Sequence, residues 1–203
     1  MGGEVSADDI TVLRRDLRGE SSLYIEAFSG KLGLLCVIKR ISSKKTSVLP
    51  DIFDDIDAVL NSASGGGGLK FLGDFEILRR RTRIAANYEA FEDAACLADV
   101  AFKNGRHVED TSKFSIRLRK SLDAIDAGNP SAIVRLKFLY LFARDEGYPV
   151  KEDFFAGLSG VEKRLFAALV RTPSAELFEL KAHSRGMLEK FLEWLERPTD
   201  IIA

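Results

Sequence analysis

The sequence predicts an α+β protein in two parts, antiparallel strands over residues 1–83 and helices over residues 84–203. Three observations carry this. Before residue 84, short apolar runs are separated by turns containing Gly or Ser, the signature of strands and hairpins. Beyond it, apolar residues recur every three or four positions, the spacing of a helix face. The chain has 203 residues, 46% hydrophobic and 30% charged, which suits a soluble chain with apolar surface enough for one long domain or two small ones.

The runs Ile10 to Leu17, Leu23 to Phe28 and Leu32 to Ile41 read as strands. Leu69, Phe71, Phe75 and Ile77 alternate as one face of a further strand, and five or six antiparallel strands are expected in all. Asp51 to Leu60 is the least strand-like stretch, since Asp54, Asp55 and Asp57 disfavour extended pairing; a helical turn is the alternative. The four consecutive glycines of NSASGGGG are too costly in backbone entropy for a regular element and read as a loop.

From Ile84 the spacing of Tyr88, Phe91, Ala95, Ala98 and Phe102 predicts a helix with those residues on one face. Phe114, Leu118, Leu122 and Ile125 form a second face that ends at Gly128. Asn129 and Pro130 then supply a cap and first-turn proline for a helix to about Glu146, with Gly147 as its left-handed stop and Pro149 barring continuation. Ser159 and Glu162 have the spacing of a capping box, and a last helix fits Ser184 to Glu196. Five or six helices are expected.

Several chemistries have no support in the residues. Cys36 and Cys96, with His107 and His183, are too few for a zinc site, and the two thiols are expected to be buried and reduced. No GxxxxGK[ST], GxGxxG, HExxH or CxxC is present, so neither enzymatic activity nor a cofactor is expected. Asp54, Asp55 and Asp57 lack the Gly and distal Glu of a calcium loop and read as a solvated loop or strand edge. No apolar stretch reaches the roughly 18 residues of a membrane span, and MGGEVSADD is not a signal peptide, so a cytoplasmic protein is expected.

The formal net charge is −1, which leaves nucleic-acid binding to local patches. Lys39, Arg40, Lys44 and Lys45, in the hairpin sequence KRISSKK, combine cations with small hydroxyls, as phosphate oxygens require. Arg79, Arg80, Arg81 and Arg83 form a second cluster, read either as nucleic-acid contacts or as ion pairs to the helical half. Lys113, Arg117 and Lys120 read as a solvated helix face.

A small β domain with a basic hairpin, ahead of helices, suggests a barrel of the oligonucleotide-binding (OB) type. The segment RGESSLYIEAFSGKLGLLCVIKRISSKKTSVLP resembles the start of the RecO family of bacterial recombination mediators, through Glu20, Ser22, Phe28, Ser29, Gly33, Val37 and Lys39. GGLKFLGDFEIL resembles the family's last barrel strand, and NPSAIVRLKFLYLFARDEGYPV its basic and aromatic helix ending in Gly147-Tyr148. The likeness covers most of residues 10–150. The chain carries Arg40 where the family usually has Gly, and lacks the four cysteines many members place after the Gly-Tyr turn.

The resemblance implies an OB-type barrel followed by an all-helical domain, and a non-enzymatic protein of DNA repair. Such a protein binds single- and double-stranded DNA, anneals strands, and helps a recombinase displace single-strand-binding protein, acting with RecR. Lys39, Arg40, Lys44 and Lys45, then Arg79, Arg80 and Arg81, are the expected DNA contacts. Arg135 and Lys137 with Phe138 are the expected receptor for the acidic, Phe-terminated tail of single-strand-binding protein. An RNA-binding barrel protein and a protein-interaction scaffold without DNA binding are the alternatives.

Overall fold

The computed structural model describes residues 4–41, 48–62, 70–197 and 199–203. Strands β1 (Glu4–Arg18), β2 (Ser22–Ser29), β3 (Gly33–Arg40), β4 (Asp55–Ser62) and β5 (Lys70–Arg79) precede helices α1 (Tyr88–Asn104), α2 (Thr111–Asp126), α3 (Ser131–Asp145), α4 (Phe155–Gly157), α5 (Gly160–Arg171) and α6 (Lys181–Leu195). The class is therefore α+β, with a five-stranded sheet first and six helices after it. The chain divides into two compact units: residues up to Arg81 together with Ala101–Ile116, and Thr82–Val100 together with Arg117–Ala203.

In the first unit the hydrogen-bonded strand order β1-β2-β3-β5-β4 closes on itself, because β4 also pairs with β1. Four pairings are antiparallel and β3–β5 is parallel, which corrects the all-antiparallel expectation. The reason is arithmetic: an odd number of strands in a ring cannot alternate direction all the way round, so one neighbouring pair must run the same way. β1 is long enough to serve two partners, with Glu4 to Thr11 against β4 and Ile10 to Arg18 against β2.

Alternation decides what faces inward. Leu23, Ile25 and Ala27 of β2, Leu35 and Val37 of β3, and Ile56, Ala58 and Leu60 of β4 fill the core with Ile10 and Val12 of β1. On β5 the predicted face is corrected. Gly73 and Asp74 together oppose the single Val59, a bulge that shifts the parity of the strand. Leu72 is consequently buried, Phe75 and Ile77 pack against the same core, and Phe71 is left half-exposed on the other side.

The acidic residues at the start of β4 are not a solvated loop. Asp54 and Asp55 are both buried, and Asp55 joins three parts of the sheet. Thr11 Oγ1 donates to it across the β1–β4 pairing at 2.7 Å, and Arg81 reaches it with both guanidinium nitrogens, Nη1 at 3.1 Å and Nη2 at 2.7 Å. Arg81 Nη1 also donates to the carbonyl of Phe53. Phe53 has φ +66°, a strained conformation for a bulky side chain. It is held by its own N–H to the carbonyl of Val12 and by the Asp54 carbonyl, which accepts from the Val12 N–H. Burial pushes the Asp54 carboxyl above the ordinary carboxylate value, opposed by the Asp51 N–H and Arg80.

Residues 101–116 belong with this sheet through Phe28. The ring of Phe114 meets it edge-on at 5.2 Å, and Gly105 lies so close that a Cβ there would stand 2.9 Å from the Phe28 ring. Only glycine fits at that approach.

The second unit is organised by α3, which is apolar around most of its circumference: Ile133, Val134, Leu136, Phe138, Leu139 and Phe142 are all buried. Two predicted details are corrected. The residue capping α3 is Pro130, with no side-chain cap from Asn129. On α1 the buried apolar residues are Ala94, Leu97, Ala98, Val100 and Ala101, whereas Tyr88 and Phe91 are exposed in the first turn, which follows a short 3-10 turn over Ile84–Ala86. Gly147 has φ +81° and ends α3, with the Tyr148 N–H reaching back to the Ala143 carbonyl. Ser159 and Glu162 form the expected capping box on α5. A buried carboxylate, Asp93, ties α1 to α3 and α6 by accepting from Ser131 Oγ at 2.7 Å and from Arg185 Nη1 at 3.0 Å, with Arg135 at 3.4 Å.

Two outcomes are expected from this packing. Asp55→Ala removes the carboxylate that takes both terminal nitrogens of the buried Arg81 guanidinium, and urea unfolding should show a loss of about 3–5 kcal/mol. Glu162 is held down to about 2 by hydrogen bonds from Lys190 and Ser159. Its contribution to the α5 cap is present above the unfolded carboxylate value and fades as pH falls toward 2. Carboxyl NMR should follow that titration, and Lys190→Met should move the midpoint up toward 4.5.

Candidate nucleic-acid interface

The registers of β1, β2, β3 and β5 place their outward residues in rows across the strands. Asp16 lies opposite Tyr24, Tyr24 opposite Ile38, and Ile38 opposite Phe71. The neighbouring row runs Arg18, Ser22, Arg40, and the one on the other side Arg14, Glu26, Cys36. An aromatic row thus lies beside a row that ends in a cation at each side, about 7 Å away at two residues' rise along the strand. The outer face holds a pocket of about 410 Å³ bordered by Arg14, Arg18, Tyr24, Glu26 and Cys36.

The cations of this face lie against aromatic rings while Arg18 and Arg40 stay exposed to solvent. The Arg18 guanidinium carbon lies 4.3 Å from the Tyr24 ring centre, and that of Arg40 lies 5.4 Å from the Phe71 ring centre. Arg14 covers the Phe102 ring at 4.2 Å. Two carboxylates share the face, Asp16 at 3.2 Å from Arg18 Nε and Glu26 at 3.5 Å from Arg14. Flat cations on aromatic rings can offer an extended polymer both charge and stacking surface.

The sequence-predicted contacts fare differently from one another. Arg40 is exposed at the end of β3, on this face. Lys39, next to it, turns to the opposite side: its Nζ donates to the Gly73 carbonyl at 2.6 Å and lies over the Phe75 ring. Lys44 and Lys45 lie outside the described residues. The arginine cluster does not act as a unit. Arg81 is withdrawn from the candidate contacts because its side chain is fully buried on Asp55. Arg80 is part-exposed, with Nε 3.7 Å from Asp54 and an Nη on the Leu49 carbonyl. The carboxylates that Arg80 and Arg81 meet, Asp54 and Asp55, belong to the first unit rather than to the helical half of the other expectation. Arg79 and Arg83 are exposed.

The predicted partner site is corrected as well. Phe138 is buried in the core, Arg135 is directed to the buried Asp93, and the Lys137 ammonium donates to the Thr172 carbonyl. Burial lowers the Lys137 ammonium below its usual value. None of the three presents a slot to a peptide. In the same unit an apolar pocket of about 110 Å³ is lined by Tyr140, Val150, Phe155 and Val170 with Lys151 and Arg171. Arg117, expected on a solvated face, pairs with Asp145.

Set beside protein-family models and curated proteins, the chain matches none.

Cys36 is exposed on the outer face and Cys96 is half-buried, where burial raises its thiol; the expected pair of buried thiols is corrected for Cys36. Among the described residues no group of three His, Cys, Asp or Glu is placed to hold a metal ion, and no helix is long and apolar enough to cross a membrane.

Sequence reasoning missed Arg18, Tyr24 and Phe71. The usable signal was Gly73, since an isolated glycine inside a strand marks a bulge, and the bulge turns Phe71 outward.

The two neighbouring cations should separate on substitution. Lys39→Ala removes an internal hydrogen bond and should lower stability by about 1 kcal/mol, whereas Arg40→Ala should change it by less than about 0.5 kcal/mol. Thermal melts of the two variants provide the comparison.

Proposed function

We propose that the chain is a non-enzymatic DNA-binding mediator whose first unit is an OB-type barrel. The closed strand order β1-β2-β3-β5-β4 with its parallel β3–β5 pair supports the barrel reading. The observation that carries the binding reading is the outer face, where Arg18 and Arg40 flank Tyr24, Ile38 and Phe71 on adjoining strands. A sheet surface with cations for phosphates and rings for bases suits single-stranded nucleic acid. Arg40, Arg18 and Arg14 are cations of this face; Lys44, Lys45, Arg79 and Arg80 stay as further candidates on the strength of the sequence.

The resemblance of residues 10–150 to RecO supplies the rest of the proposal: annealing of complementary strands, action on DNA coated by single-strand-binding protein, and cooperation with RecR in the cytoplasm. The acidic tail of single-strand-binding protein is then assigned to the apolar pocket rimmed by Lys151 and Arg171, which combines an aromatic slot with cations in the second unit.

Salt dependence tests the binding face. For single strands the slope of log K against log salt is roughly −0.7 per neutralised phosphate. Arg18→Gln with Arg40→Gln should weaken binding to all sequences alike and flatten the slope by about 1.4. An unchanged slope moves the contacts elsewhere. Annealing of strands coated by single-strand-binding protein, lost in the same variant, tests the mediator reading.

A further inference from the structure

We propose that Tyr24 and Phe71 are base-stacking platforms, and that Arg18 and Arg40 are covers that leave these rings when a single strand binds. This deepens the nucleic-acid reading of the outer face and rests on it. In the free protein each guanidinium occupies a ring face, Arg18 on Tyr24 and Arg40 on Phe71. A nucleobase stacked on an aromatic ring gains more than an exposed guanidinium does in the same place, so the exchange favours the bound state. The displaced guanidinium keeps its charge. It turns to a phosphate, its bidentate partner.

The spacing selects single strands. Tyr24 and Phe71 are separated by Ile38 on the intervening strand, so their backbones stand two strand spacings apart, roughly 9.5 Å. Successive bases in a duplex are about 3.4 Å apart along each strand and keep their faces covered by their neighbours. Bases on both rings must therefore be splayed, with at least one nucleotide over the buried Ile38 between them. The row Arg18, Ser22, Arg40 runs parallel to the ring row. It offers the backbone two cations and a hydroxyl donor in the same direction of travel, so a strand crossing from β2 to β5 finds rings and phosphate partners in step. Asp16, 3.2 Å from Arg18 Nε, competes with the phosphate for that guanidinium, and its removal should strengthen binding.

The test measures fluorescence anisotropy of the full chain with three probes of equal length: a single-stranded oligonucleotide, the same backbone with every base replaced by an abasic residue, and a duplex. The base-bearing single strand should bind most tightly. Tyr24→Leu and Phe71→Leu should each cost about 5-fold or more in affinity for it, leave the abasic strand's affinity and the salt slope unchanged, and together reduce the first affinity to the second. Asp16→Asn should raise affinity for both strands.

A second readout avoids removing a ring. In Phe71→Trp, indole emission should be quenched by the base-bearing strand and not by the abasic one, relative to the parent chain with Trp194. Equal affinity for the base-bearing and abasic strands, or unchanged affinity in both leucine variants, overturns the stacking proposal while the phosphate-binding face stands. A duplex bound as tightly as the single strand overturns the selectivity. If no probe binds with a salt-dependent affinity, the nucleic-acid reading falls and the platforms with it.

Discussion

A buried carboxylate holds the first unit closed. Asp55 opens β4, accepts from Thr11 of β1, and faces the guanidinium of Arg81 just past the end of β5. Removing both charges from water is costly, and the cost is offset only if every donor and acceptor is used. The geometry meets that demand: Arg81 has a third acceptor in the Phe53 carbonyl, and Phe53 accepts a left-handed backbone to present it. The strain of that residue and the burial of Asp54 beside it are consequences of the same anchor. Such an arrangement specifies register as well as closure, since slipping β4 by one residue would turn Asp55 outward and break its two hydrogen bonds from the buried Arg81.

The second constraint is parity. A strand in a closed sheet must keep one face to the core, yet β5 carries apolar residues on both, and Gly73 resolves the conflict by letting two residues stand against one. Leu72 goes in, Phe71 goes out, and the outward ring comes into line with Ile38 and Tyr24. Lys39 then donates to the carbonyl of the bulged Gly73, which explains why neighbouring residues of one basic run differ in role. The bulge that satisfies the core is what furnishes the outer face with its second ring.

In the second unit the same logic applies to α3. A helix buried around most of its surface leaves little solvent for cations in its middle turns, so these must be satisfied inside. Arg135 turns to Asp93 and Lys137 to a backbone carbonyl. A cation beside aromatics in such a sequence reads like a peptide receptor, but the surrounding apolarity that gives that impression is the reason the cation is already occupied.

What the sequence by itself determined was set by local physics. Periods of two and of three to four residues separate strands from helices, Gly147 stops α3 because only glycine adopts its backbone without strain, and Ser159 with Glu162 caps α5. These signals lie within a few residues of the elements they specify. The tertiary structure decided what depends on distant partners: the burial of Asp54 and Asp55, which composition assigns to solvent; the withdrawal of Arg81 from its exposed neighbours; and the alignment of Arg18, Tyr24, Arg40 and Phe71 across four strands. Charge and aromaticity are written in the sequence residue by residue, but which of them face water together is fixed by register between strands that lie tens of residues apart, and register is a property of the closed sheet.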